Sequence, residues 1–199
     1  MTFLNLVQGW DVGFDRRAVR MVRRWPASSV VVTDELELRP LIADDVEPFL
    51  RSIDRDVRFW QGFDGETVKR YSAALEATTR SPDAALPWRF LAVVRGGQFI
   101  GNYQLRPSIE RGDAWHVQLG WWLAPEARGQ GLGRASLASA LAHVHRDLGL
   151  RVARMGTGVD NIRAVRQIEA VGAVPVSEGH HALPNRTVVE SRWYHHQER

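Results

Sequence analysis

The chain has no cysteine. That excludes disulfides, thiolate metal sites and a cysteine nucleophile, so an acyl-enzyme route through sulfur is closed to it. Lysine is almost missing too: Lys69 stands alone, and arginine carries nearly all of the positive charge. No apolar run is long enough to cross a bilayer, so no membrane partner is expected. The short apolar start (Phe3, Leu4, Leu6, Val7) has no basic residue before it, so no cleavable leader is expected and the cytoplasm is the predicted location. A strong charge imbalance is also missing: 26 Lys and Arg face 23 Asp and Glu, a net charge of +3. Nucleic-acid binding wants positive charge gathered on one face, and this balance gives it little support.

What is present is a chain of 199 residues, 44% hydrophobic and 25% charged, enough for one full core plus an extension. The extension covers residues 1–29. There Phe14, Ala18, Met21, Val22 and Trp25 recur at helical spacing, while Arg16, Arg17, Arg20, Arg23 and Arg24 fall largely off that stripe. Pro26 ends the predicted helix. Its apolar stripe can dock on the domain or on a second subunit, which makes a homodimer plausible. The remainder, residues 30–199, reads as one domain.

Within that domain the sequence predicts strands at Val30–Val32 and Leu36–Pro40, a helix to about Arg55, and a loop over Val57–Thr67. A helix from Glu66 to about Arg80 follows. Trp88–Arg95 and Gln98–Arg106 form a hairpin about Gly96-Gly97, and Pro107–Asp113 is a polar loop. Arg151–Thr157, Ala173–Ser177 and Thr187–His195 are the last strands, with a helix from Asn161 to Val171 ended by Gly172.

The chain is organised about the stretch from His116 to Asp147: a strand, a glycine-rich turn and a helix. The turn is Arg128-Gly129-Gln130-Gly131-Leu132-Gly133. Glycines there let the backbone approach a ligand and adopt positive φ. A helix starting just after them points unpaired N–H groups and its positive dipole end at the turn, an arrangement that binds phosphate. No Gly-Lys-Ser/Thr closes it, and the spacing is not that of a dinucleotide fingerprint.

Arg128-x-x-Gly131-x-Gly133 fits R/Q-x-x-G-x-G/A, the pyrophosphate signature of the GNAT superfamily of acyl-CoA N-acyltransferases. Gln118 to Glu126 resembles the strand of its ribosomal-protein (Rim-type) branch, and Val159-Asp160-Asn161 through Glu169 and Gly172 resembles that branch's later helix. The chain is therefore identified as resembling that family from about Glu35 to Tyr194. The resemblance implies an α/β (α+β) fold: a mixed, mostly antiparallel twisted sheet of about seven strands with splayed central strands, flanked by about four helices. It also implies acetyl-CoA as cosubstrate, held by Arg128, Gly129, Gln130, Gly131, Leu132, Gly133, Arg134 and Asn161, with no metal. Leu123 N–H is then the expected oxyanion donor. The loop holding Trp60, Phe63 and Asp64 is expected to wall the acceptor site.

The sequence departs from the family at two places. Gln118 stands where a glutamate base is common, and Ala164 where a serine can protonate the thiolate. His116 lies two residues before Gln118 and hence on the same strand face, and His181 sits where the Rim-type enzymes carry another catalytic glutamate, so both are candidate bases. The function expected is acetyl transfer to a primary amine, either a protein N-terminus or lysine or a small molecule, by direct attack in a ternary complex. Two rivals remain open: a non-catalytic acyl-CoA binder, and a nucleic-acid-associated modifier that uses the Arg16–Arg24 helix.

Overall fold

A computed structural model describes residues 31–32, 36–80, 88–109 and 115–198. The predicted amphipathic helix of residues 1–29 lies outside the described residues. Among the described residues the sheet has eight strands, seven of them four residues or longer. They are β1 (Val31–Val32), β2 (Glu37–Pro40), β3 (Arg89–Arg95), β4 (Gln98–Ile109), β5 (Trp115–Leu123), β6 (Val152–Gly158), β7 (Val174–Ala182) and β8 (Val188–Gln197). Their spatial order is β1-β2-β3-β4-β5-β6-β8-β7. Among the described strands only β5 and β6 pair in parallel.

Among the described residues five α-helices flank the sheet: α1 (Val46–Arg51), α2 (Arg55–Gln61), α3 (Gly65–Arg80), α4 (Leu132–Ala142) and α5 (Ile162–Ala170). Two predicted loops are corrected here. Much of Val57–Thr67 is helical, because Asp54 caps α2 by accepting the Val57 N–H at 2.9 Å, and Gly62 ends it with φ of 65°. β4 also runs on to Ile109, since Pro107 faces Val117 on β5 without being asked for an N–H.

The sheet separates two cores. On one face Leu105, Leu119, Met155, Tyr103 and Tyr194 pack under α4 and α5, with Leu137, Leu141 and Ile168 supplying the helical side. On the other, Phe49, Tyr71, Phe90 and Trp122 pack with α1 and α3. This aromatic core fills only the β2–β5 half of its face. Beyond β5 that face opens into a groove.

After Ala142 the helix widens into a π turn over His143–Asp147, closed by Leu148 N–H to His143 C=O at 3.1 Å. His143 is 1% exposed and its Nδ1 meets Asp147 at 2.7 Å. Burial holds its pKa below the ordinary 6.5, outweighing the opposing pull of the Asp147 carboxylate. A depressed folded pKa means that the native state binds fewer protons than the unfolded one. Its contribution to stability is therefore complete above pH 6.5 and is lost as pH falls below that value. Melting temperature measured between pH 7.5 and 5 should drop, and His143→Gln should flatten part of that drop. An unchanged slope in the variant would remove His143 as the cause.

Candidate active site

The site begins where the sheet comes apart. β5 and β6 pair over only three positions, Val117–Ala153, Gln118–Arg154 and Leu119–Met155. β5 continues to Leu123 beside β4, and β6 continues to Gly158 beside β8, so a wedge opens past Leu119. The Ala124 N–H donates to Ile100 C=O at 2.8 Å, which sets the parity of the antiparallel ladder. Even-numbered residues of β5 bond to β4. Odd-numbered ones, Trp121 and Leu123, turn their N–H groups away from β4 and toward the wedge. Their carbonyls face that side too and are occupied: Gln61 Nε2 donates to Trp121 C=O at 3.3 Å, and Arg128 Nε to Leu123 C=O at 2.9 Å. The donors, not the acceptors, are left for a ligand.

Below the wedge lies the glycine turn. Gly129 and Gly131 have φ of 77° and 78°, and Gly131 is the N-cap of α4. Gly133 is different: it is helical, and a Cβ there would strike the Gln167 amide. No backbone acceptor is recorded, among the described residues, for the N–H groups of Gly129 through Gly133. The dipole of the eleven-residue helix adds its positive end at the same place. The Gln130 side chain folds back, donating to Glu126 C=O at 2.7 Å and accepting from Arg95 Nη1 at 2.9 Å, which leaves the mouth of the turn to backbone. Arg134 is exposed in the first turn of α4.

Arg128, expected at the phosphates, has protein partners. It forms a fork with Asp54, at 2.7 and 3.1 Å, while its Nε holds Leu123 C=O. Burial pushes the Asp54 carboxyl upward, but bonds from Arg128 and the Val57 N–H and the charge of Arg128 outweigh this and hold its pKa below the ordinary 3.8. Arg128 thus ties the end of β5 to the start of α2. What the turn itself presents is backbone.

A groove of about 990 Å³ runs from the wedge, where the start of α5 borders it, to the β7–β8 hairpin. Its floor is low because Gly120, Gly156 and Gly158 carry no side chain. Trp193 lies over Gly156, where a Cβ would sit 2.5 Å from the indole, and Trp60 covers Gly158. Asp64 lines the near wall and accepts the Thr67 N–H at 2.7 Å. That bond, more than any other cause, lowers its pKa. Phe63 also borders the groove but is 4% exposed, packed against Tyr71 and Trp122, so it is core first. Asn161 lines the groove and caps α5, accepting the Ala164 N–H at 3.3 Å.

The two candidate bases part company. His181 lines the groove, edge-on to Trp193 at 5.4 Å. His116 is 3% exposed, lies one row deeper than Gln118, and is not part of the groove lining. Gln118 and Ala164 do line it. Sequence reasoning missed Arg106, Tyr71 and Trp193, which also line it. Arg106 had a usable signal: it alternates with Gln104 on a strand whose partner carries Gln118.

Residues 35–174 match the family described as the acetyltransferase (GNAT) domain. The chain belongs to the GNAT acetyltransferase family. No curated protein matches it in sequence. Among solved structures it is similar to RimL, a ribosomal L7/L12 alpha-N-protein acetyltransferase in complex with coenzyme A, at TM-score 0.69 and 14% identity, over 85% of this chain and 98% of that one. It is also similar to the ribosomal-protein-S5-alanine acetyltransferase from Vibrio fischeri, at TM-score 0.68 and 15% identity, over 85% and 96%. Mycobacterium smegmatis RimJ in complex with CoA-disulfide gives TM-score 0.64 and 18% identity, over 81% of each chain. At these identities the likeness shows the fold. As a GNAT acetyltransferase the chain is an acyltransferase enzyme, and enzymes of this family use acetyl-CoA. The residues present fit that cosubstrate: backbone N–H groups at the turn without a backbone acceptor suit phosphates, and the wedge presents strand N–H groups to an extended arm. Among the described residues no cluster of three or more His, Cys, Asp or Glu is placed to hold a metal.

Proposed function

We propose that the chain transfers an acetyl group from acetyl-CoA to a primary amine by direct attack, with both substrates bound at once. The observation that carries this is the wedge past Leu119, where the N–H groups of Trp121 and Leu123 point into the space that the Gly129–Gly133 turn serves. Acetyl-CoA supplies the activated acyl thioester. The chain's own part is to hold and polarise. Gly129 to Gly133 offer N–H donors to the pyrophosphate, and Asn161 borders the arm's path. The Leu123 N–H donates to the carbonyl oxygen as charge builds on it. The acceptor enters between the α2–α3 wall, with Trp60 and Asp64, and the floor at Gly120.

His181 is the histidine on the groove and takes the amine's proton in this proposal. His181→Ala should lower kcat/KM about 100-fold and change its dependence on pH. An unchanged pH profile would assign the proton to water, which is enough for an α-amino group of pKa about 7.7–8.0. The overall test is thiol release from acetyl-CoA over a panel of amines and N-terminal peptides. Acetyl-CoA binding without release on any acceptor would favour the second reading, a non-catalytic acyl-CoA binder, for which Gln118 and Ala164 are the supporting residues. The Arg16–Arg24 helix of the nucleic-acid reading lies outside the described residues.

A further inference from the structure

The two sets of backbone donors described above lie apart in the chain: Trp121 and Leu123 at the wedge, and the Gly129–Gly133 turn at the start of α4. One side chain touches both. Gln167, on α5, accepts the Trp121 indole N–H at its Oε1, at 3.3 Å. Its amide also lies against Gly133, so closely that a Cβ on Gly133 would clash with Nε2 and stand 2.9 Å from the amide carbon. Asn161, Ala164 and Gln167 follow one another three residues apart from the cap of α5 onward. The first two line the groove, and Gln167 is the next step, away from the acceptor space and toward the turn.

The bond to Trp121 settles which way the amide points. An indole N–H can only donate, so the atom that meets it is the oxygen. The NH2 end is then the end that lies on Gly133. Among the described residues the Trp121 bond is the one hydrogen bond of this side chain, so nothing there accepts from Nε2. A brace between α5 and β5 would need only the oxygen. The two N–H donors are left over, and they stand beside the unpaired backbone N–H groups at the positive end of the α4 dipole.

Gly133 points the same way. The signature R/Q-x-x-G-x-G/A accepts glycine or alanine at this place, and alanine is the better helix former. Gly133 lies within α4 and is not among the glycines with positive φ, so its backbone does not ask for glycine. The atoms a methyl would meet are those of the Gln167 amide. Glycine here makes room for that amide at the turn. We infer that Gln167 is a further cosubstrate-binding residue, whose NH2 group donates to the pyrophosphate of acetyl-CoA at the end nearest the arm, between the donors of the turn and those of the wedge. This rests on acetyl-CoA being the ligand of the site. Trp121 is the positioning residue that fixes the plane of the amide.

Calorimetry of the full-length protein with coenzyme A tests the assignment. Gln167→Met fills similar space without a donor and should weaken binding about tenfold, within the range of bonds to a charged group. Gln167→Glu keeps the length and can still accept from Trp121, but it brings no donor and a negative charge, and should weaken binding about 100-fold. The KM for acetyl-CoA should rise with these losses while kcat falls by far less. Gly133→Ala should weaken binding about tenfold by pushing the amide aside, and should cost nothing further when combined with Gln167→Met. It favours the helix and meets only the tip of a flexible side chain, so it keeps the test open if a Gln167 variant fails to fold. Unchanged affinity in both Gln167 variants would overturn the inference. Equal losses in the two would overturn the phosphate as the partner. A Gly133→Ala effect of the same size with and without Gln167→Met would overturn the placement of the amide. Failure of the unaltered protein to bind coenzyme A would sink the acetyl-CoA reading itself, and this inference with it.

Discussion

Gly131→Val should weaken coenzyme A binding by about 100-fold or more, equal to roughly 2.7 kcal/mol. Gly131 caps α4 with φ of 78°, a conformation that costs an L-residue about 1–2 kcal/mol and a β-branched one more. The added methyls also stand at the mouth of the turn, over N–H groups that are the proposed phosphate donors. No described atom lies within 4 Å of a Cβ there, so the fold has room for the change. The loss should therefore fall mainly on the ligand, with the melting temperature lowered by about 2–8 °C. Calorimetry with coenzyme A measures the first and circular dichroism the second. Wild-type affinity in a folded variant would sink the cradle.

Gly101→Ala should act on turnover and spare the turn. Gly101 faces Leu123 across β4 and β5, in a pair that exchanges no backbone hydrogen bonds and so brings the chains close. A Cβ there would stand 2.6 Å from Trp122 C=O and 3.0 Å from the Leu123 Cα. Both are backbone atoms and cannot swing aside as a side-chain tip would. β5 must shift at the residue whose N–H is the proposed oxyanion donor. A displacement near 1 Å costs about 100-fold in rate, so kcat should fall by that order while coenzyme A affinity stays within a few-fold. A kcat within twofold of wild type would mean that Leu123 does not polarise the carbonyl. Strand weakening adds a stability loss of about 1–3 kcal/mol, the usual range for overpacking.

The sequence spoke most clearly where one residue type has one use. The glycines of the turn, the Gly96-Gly97 hairpin and the Asn161 cap are each local devices, and all stand where their chemistry requires. The alternating apolar run of β3 likewise reads as a strand because both of its faces are buried. Tertiary pairing was harder to read. Val57 to Gln61 reads as part of a loop in sequence, yet the Asp54 cap and the Arg128 fork make it a helix. Arg128 itself was legible as a motif residue. Its partner is 74 residues away, and nothing local points to it. His116 and Gln118 share a strand face as expected, but which of them meets the groove depends on how deep the wedge reaches. Trp193 and Arg106 enter the site only through the register of strands far apart in the chain.

The short β5–β6 contact has a consequence for how the molecule avoids its own kind. Past Leu119 the sheet contains two interior edges, each with backbone groups that lack a neighbouring strand. An open edge invites strand addition from another chain and, from there, aggregation. Here both edges are recessed. Trp121 is braced against Gln167 on one side of the sheet, through its indole N–H at 3.3 Å, and on the other Trp60 and Trp193 cover the glycines of β6. A strand from a stranger would have to displace three indoles, whereas a thin, unbranched arm can slide between them. The tryptophans about the wedge therefore act as guards of an edge that the chain must keep open.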